Sequence, residues 1–270
     1  MKRKSLTLAA MIIAVACACA IAPRALYAGT QAAKVVYDGP LPEAQIPKYI
    51  TAAVNSPDRP AADKKLDPSR RPAQFLAFYG IKPGMHVADL WAGAGYTTEL
   101  LARTVGAEGK VYSQNQPFPT KFKKAEAAWK ARLKEPGMTN VVEVEKPFSE
   151  TNLLPVKPGT LDAVTIVMNY HDMVGRGYDR VKINHEVFTA LKSGGIYAIV
   201  DNRAPGGSGA RDASTIHRIA EDFVINEVET AGFRLAASSD ILCNPKDDRT
   251  LPFWKMNHEQ DRFTLKLVKP

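Results

Sequence analysis

The residues best suited to chemistry stand where apolar runs give out. Asn169-Tyr170-His171-Asp172 closes one such run, Asp201 closes another, and His217 follows the Gly-rich stretch from Gly206 to Gly209. An unperturbed histidine titrates near pH 6.5, so it can take up a proton at neutral pH. His171 directly follows LDAVTIVMNY and is the first choice for a general base, with Asp172 or Asp201 orienting its ring. The competing reading is a histidine that caps the strand end through the backbone. Arg218, beside His217, offers a planar fork for a substrate carboxylate, against the commoner fate of a surface arginine. His171, Asp201 and His217 are also metal-ligand types, but their spacing carries no metal signature and no metal is expected. His86, on a strand, and His185, within a helix, read as structural.

A second group lies upstream. In VADLWAGAGYTTELLARTVGAEGKVYSQN, Val87 to Asn115, an apolar strand runs into a glycine turn, an amphipathic helix and another strand. Gly93 and Gly95 let the backbone turn tightly and approach a ligand, and the following helix N-terminus favours an electron-rich group. Alone, G-A-G also suits a plain strand-to-helix connection. A nicotinamide-binding unit fits poorly, because Tyr96-Thr97-Thr98 follows Gly95 and the third glycine of G-x-G-x-x-G is missing.

These groups need strands to carry them to one edge. From Pro72 the pattern is regular: PAQFLAFYG reads as a helix stopped by Gly80, and MHVADL, VYSQN, NVVEVE, LDAVTIVMNY and IYAIVD read as five strands. Helices are expected over 121–134 (around Phe122 and Trp129), over 181–191 before the turn KSGG, and over 215–231. FRLAASSDIL and RFTLKLVK supply two late strands. Strands alternating with helices predict an α/β fold with a doubly wound, mostly parallel sheet of seven strands. Ligands in such sheets sit outside the carboxyl ends of the strands, where the candidate residues fall.

The register Asp89-Leu90-Trp91-Ala92-Gly93-Ala94-Gly95 resembles the first motif of class I S-adenosylmethionine-dependent methyltransferases, an acid followed by alternating glycines. LKSGG resembles a turn common in that superfamily. The segments SPDRPAADKKLDPSRRPAQFLAFYGIKPGM, NYHD, HRIAEDFVINEVETAGF, NPKDDRT and DRFTLKLVKP further resemble a group of exported methyltransferases. The resemblance implies a Rossmann-like methyltransferase fold, S-adenosyl-L-methionine as cofactor and a small-molecule acceptor. It implies that Asp89, Ala92, Gly93, Ala94 and Gly95 border the methionine part, Asn115 the ribose, Glu145 to Phe148 the adenine and Asn169 the amino-acid end. On this reading His171, Asp172, Asp201 and His217 serve the acceptor. Trp91 stands where a glycine is usual, so its ring either reaches across the cofactor or packs beneath the turn. Asn115 replaces the usual acid and offers the ribose only neutral hydrogen bonds, roughly half as strong as charge-assisted ones. A protein of this fold that binds without turnover is the second reading.

The chain opens with Lys2-Arg3-Lys4 and an apolar stretch from Leu6 to Ala22, then Pro23 and small residues to Ala28. That pattern predicts a signal peptide over 1–28 and an exported, periplasmic protein; the alternative is an anchor through 6–22. Residues 29–70, rich in Pro, Asp and Lys with one helix over 43–54, read as an extension wrapping onto a domain over 71–270. Without residues 1–28 the net charge falls from +8 to +4, spread along the chain, which argues against a nucleic-acid partner. Cys243 is then the remaining cysteine, so stability rests on an ordinary core.

Overall fold

The computed structural model describes residues 35–37 and 40–270; the segment expected as a signal peptide, 1–28, lies outside the described residues. The strands are β1 (Val35–Tyr37), β2 (His86–Leu90), β3 (Lys110–Asn115), β4 (Val141–Glu145), β5 (Leu161–Val167), β6 (Leu191–Asn202), β7 (Arg234–Ser239) and β8 (Arg262–Val268). They form one sheet in the order β1-β7-β8-β6-β5-β2-β3-β4. β8 runs antiparallel to β6 and β7, and the other pairings are parallel. The seven strands expected from sequence are β2 to β8, and the extension contributes the short β1 at the edge beside β7.

The helices are α1 (Lys48–Val54), α2 (Ala61–Lys64), α3 (Asp67–Arg70), α4 (Pro72–Tyr79), α5 (Tyr96–Val105), α6 (Lys123–Arg132), α7 (Tyr170–Gly175), α8 (Arg180–Ala190) and α9 (Glu221–Thr230). Side chains alternate across the central strands with the two-residue period of a pleated sheet. Val87, Ala163 and Ala198 enter a core with Leu76, Tyr79, Leu101 and Trp129. Ala88, Val164 and Ile199 enter the other, with Tyr170, Val187 and Val224. A strand buried on both faces has to be apolar throughout, which is why β5 shows no polar alternation. Among the described residues no helix is long and apolar enough to cross a membrane.

Four expected elements end elsewhere, each for a local reason. Pro47 lacks an amide proton, so the helix expected over 43–54 splits into a 3-10 turn (Glu43–Gln45) and α1. The strand LDAVTIVMNY stops at Val167, because Met168 takes a left-handed φ of 57° and Tyr170 opens α7. KSGG is no free turn: Leu161 pairs with Leu191 but Ala163 with Ile196, so Lys192 to Gly195 bulge out within β6. The helix expected over 215–231 begins only at Glu221, since the preceding residues form turns and His217 has a φ of 54°.

The extension is tied down over the start of α5. Arg59 donates to both oxygens of Asp67 at 2.8 and 2.9 Å, and the Tyr96 hydroxyl donates to Asp67 at 2.7 Å. The Arg70 guanidinium stands 4.3 Å from the Tyr96 ring centre. Arg262, on β8, donates to the Ser69 carbonyl at 2.6 Å.

Candidate active site

Consider first the turn between β2 and α5. Asp89 is buried; its oxygens accept from the Thr98 hydroxyl at 2.6 Å and the Thr165 hydroxyl at 2.7 Å. It therefore ties β2 to α5 and β5 beneath the turn. Burial pushes its carboxyl up from 3.8 to about 6, against the pull of the two threonine hydrogen bonds. A pKa raised by folding stabilises the protein fully below the unfolded value, and that contribution disappears as pH rises through about 6. Two units amount to roughly 3 kcal/mol. In urea titrations from pH 4 to 7, wild type should lose about that much relative to Asp89→Asn, which has no proton to give up. A difference that stays flat with pH would show that Asp89 ionises at no cost.

Above Asp89, Trp91, Gly93 and Gly95 all take left-handed φ values, 53°, 60° and 86°. The two glycines have different jobs. A Cβ on Gly93 would meet nothing within 4 Å, so this residue faces open space. A Cβ on Gly95 would lie 2.6 Å from the Trp129 ring and 2.8 Å from Arg132 Cδ, so Gly95 lets α6 pack down on the turn. Asn115 is committed to the same turn: the Gly93 amide donates to its Oδ1 at 2.8 Å, and its Nδ2 donates to the Gly93 carbonyl at 3.0 Å. Both ends of its amide thus hold the glycine loop. Gln114, which the sequence did not single out, does the same for Trp91, accepting its amide proton at 3.0 Å while donating to the Lys146 carbonyl at 2.6 Å.

The second group gathers at the ends of β5 and β6. Asp201, fully buried at the end of β6, accepts from the His171 amide at 2.7 Å and the Asn202 amide at 2.7 Å, and sits 2.6 Å from His171 Nδ1. His171 Nε2 lies 3.2 Å from His217 Nδ1, and Asp172 approaches both rings, at 3.7 and 3.4 Å. All four sequence candidates thus meet. Burial draws the His171 pKa down, but the adjacent Asp201 carboxylate outweighs it and the net shift is upward. Burial moves His217 downward, against the attraction of Asp172. The two rings differ in exposure: the His171 side chain is 1% exposed with both nitrogens engaged, while His217 is 30% exposed, flanked by Phe253 and Trp254. Arg218 fits neither expectation, being fully buried and paired with Asp247 at 2.8 Å.

No protein-family model matches the chain, and no curated protein matches it in sequence. Solved structures do match. An S-adenosylmethionine-dependent methyltransferase from Aquifex aeolicus superposes with a TM-score of 0.55 at 21% identity, over 78% of this chain and 99% of that one. The fold is that of the S-adenosylmethionine-dependent methyltransferases. An arsenic(III) S-adenosylmethionine methyltransferase from Chlamydomonas reinhardtii gives 0.52 at 16% identity, over 83% of this chain and 74% of that one. The cyclase SpnF gives 0.55 at 14% identity, over 86% and 99%.

Within this methyltransferase fold, the turn after β2 is crowded on its outer side. The Trp91 ring packs edge-on to Phe148 at 5.4 Å and Tyr178 at 6.1 Å, with the Arg176 guanidinium 5.2 Å from its centre. Phe148 is buried and stands behind Trp91. Asn169 donates to the Trp91 carbonyl at 3.0 Å and so braces the same residue. The cleft bounded by Trp91, Asn115, Phe118, Phe122, Arg176 and Tyr178 holds about 150 Å³, below the ~300–1,000 Å³ of most small-molecule sites. Toward the other side, a cavity of about 20 Å³ lies among Arg70, Tyr96, Thr97, Met168 and Arg262, closed over by the extension.

Proposed function

We propose that the protein is a class I methyltransferase that uses S-adenosyl-L-methionine to methylate a small-molecule acceptor outside the cytoplasm. The observation that carries this reading is Gly93: a left-handed residue at the strand edge whose missing side chain leaves open space where a ligand can approach the backbone. The neighbours that share the fold support the same cofactor by their own descriptions. Three non-glycine residues with left-handed φ, Trp91, Met168 and His217, ring the same strand ends. Such strain costs of order 1–3 kcal/mol per residue and tends to persist at functional sites. Export rests on the basic, apolar and small-residue order of residues 1–28.

On this reading the Gly93 and Ala94 backbone would face the amino-acid part of the cofactor, and Trp91 would form an apolar wall. The cofactor supplies an electrophilic methyl group on a sulfonium. What remains for the chain is alignment and proton handling. Asp201 holds the His171 Nδ1 proton, which leaves Nε2 as acceptor toward His217. His217 Nε2 is then the atom available to an acceptor's proton.

Calorimetry with S-adenosylmethionine and S-adenosylhomocysteine tests the proposal. Wild type should bind both, and Gly93→Ala should weaken binding at least tenfold, about 1.4 kcal/mol, while remaining folded. No heat at millimolar ligand would defeat the cofactor assignment. A second reading, a protein of this fold that binds a ligand without turnover, is favoured by the small cleft under Trp91 and by Asn115 being spent on Gly93. The two readings separate on whether methyl groups are lost from bound S-adenosylmethionine.

A further inference from the structure

We propose that His171, Asp172 and His217 form a site for one divalent transition-metal ion, with Zn²⁺ the best match to their chemistry. His171 Nε2, His217 Nδ1 and the Asp172 carboxylate point at one spot, and all their ligand atoms lie within 4.8 Å of one another. The two ring nitrogens are 3.2 Å apart, Asp172 Oδ1 lies 3.4 Å from His217 Nδ1, and Asp172 Oδ2 lies 3.7 Å from His171 Nε2. Donor atoms placed tetrahedrally at about 2.0–2.2 Å from an ion stand roughly 3.3–3.6 Å apart, close to the ring-to-ring separation, and the carboxylate, which meets each ring through a different oxygen, would turn to bring one oxygen onto the ion. Without an ion the two ring nitrogens stand within hydrogen-bonding distance of each other.

The surroundings match a ligand set. His171 has its Nδ1 held by the buried Asp201 at 2.6 Å, which fixes the tautomer that turns a bare Nε2 toward the cluster. A carboxylate behind a ligating histidine is the usual partner in zinc sites. The rim around His217 is apolar on one side, where Phe253 and Trp254 stack edge-on to the ring. Two imidazoles and one carboxylate suit zinc or a neighbouring transition ion, whereas calcium and magnesium prefer all-oxygen sets. Three protein ligands leave a fourth position, and the partial exposure of Asp172 and His217, 19% and 30%, leaves it on the solvent side. The nearby cation, Arg176, is half exposed, lies 3.8 Å from Asp172 and also stands over the Trp91 ring, so it would yield the carboxylate to the ion while keeping that contact.

The site itself is independent of the methyl-transfer reading; its role rests on that reading. There the ion would hold an acceptor oxygen or sulfur and favour its deprotonated form, the proton leaving to solvent. The spacing of the three residues in sequence hid this. His171 and Asp172 are adjacent, but His217 arrives through the turns after β6.

Untagged protein, stripped of metal with a chelator, should take up one Zn²⁺ per chain at micromolar or lower concentration, by calorimetry and by elemental analysis. The double variant His217→Ala/Asp172→Asn changes partly exposed ligands and should bind at least about 100-fold more weakly. Asp201→Asn, which alters the residue behind the ligand, should weaken binding about 10–100-fold. Zn²⁺ should raise the melting temperature of wild type and not of the double variant, a readout free of turnover. Equal Zn²⁺ affinity in wild type and double variant, or none tighter than about 100 µM in wild type, would overturn the site and leave a proton-sharing histidine pair. S-adenosylmethionine titrated into the same stripped samples keeps the questions apart. Zn²⁺ binding without cofactor binding removes the methyl-transfer reading alone, and the reverse removes the metal site alone.

Discussion

Gly95→Ala is expected to destabilise the protein by about 2–5 kcal/mol, and Gly93→Ala by only about 1–2 kcal/mol. Both glycines hold left-handed backbones, which cost an alanine roughly 1–2 kcal/mol. The difference is what the new methyl meets. At Gly95 it would lie 2.6 Å from the Trp129 ring and 2.8 Å from Arg132, and neither neighbour is free to yield. Trp129 is fully buried with its ring nitrogen donating to Glu143 at 2.8 Å. Arg132 is paired with Asp63 of α2 at 2.6 Å and with the buried Glu99 of α5. Overpacking a fixed site typically adds about 1–3 kcal/mol. At Gly93 the methyl enters open space, so little is added. Urea unfolding of both variants measures the gap, and a Trp129→Leu background should narrow it for Gly95 through a coupling of about 0.5–3 kcal/mol. Equal losses at the two glycines would mean that Trp129 does not police the turn.

This pair shows what the sequence could tell and what it could not. The alternation of apolar runs and helices announced the parallel sheet, and the register of Asp89 to Gly95 placed a glycine turn at its switch point, because both are local patterns. Which glycine is packed against and which is left open depends on α6, a helix some thirty residues later, and no local pattern reports that. Asn115 was legible as a departure from an acid, yet its partner is the backbone of Gly93 across the β2–β3 gap. A short polar residue at a strand end reads the same whether it holds ligand or loop. For the histidines, strand ends correctly gathered His171, Asp172 and Asp201. His217 joined them only because the chain turns back with a left-handed residue where a helix was expected. The exposure that decides between the two rings is a property of packing, invisible in residue types.

The Arg218–Asp247 pair should give the other large effect. Asp247→Asn is expected to cost about 3–5 kcal/mol, the usual loss when one half of a buried ion pair is removed. Both side chains are fully buried at 2.8 Å, so the Arg218 charge would be left without a counter-ion and without water. The guanidinium also donates to the Leu251 carbonyl at 2.8 Å and the Arg203 carbonyl at 3.0 Å, pinning the 247–251 loop beneath His217. Asp247 in turn accepts from the Asp261 amide at 2.6 Å. Two controls separate a buried pair from a surface one. In 1 M salt, where screening acts over about 3 Å, the wild-type-to-variant difference in urea midpoint should hardly change. The double variant Arg218→Met/Asp247→Asn should recover part of the loss, because it removes the unpaired charge as well. A loss below about 1 kcal/mol, or one that vanishes in salt, would mean that the pair opens to water. Since Arg218 directly follows His217, the same variant should also loosen His217 against His171, and a weaker Zn²⁺ affinity at pH 7 would register that coupling.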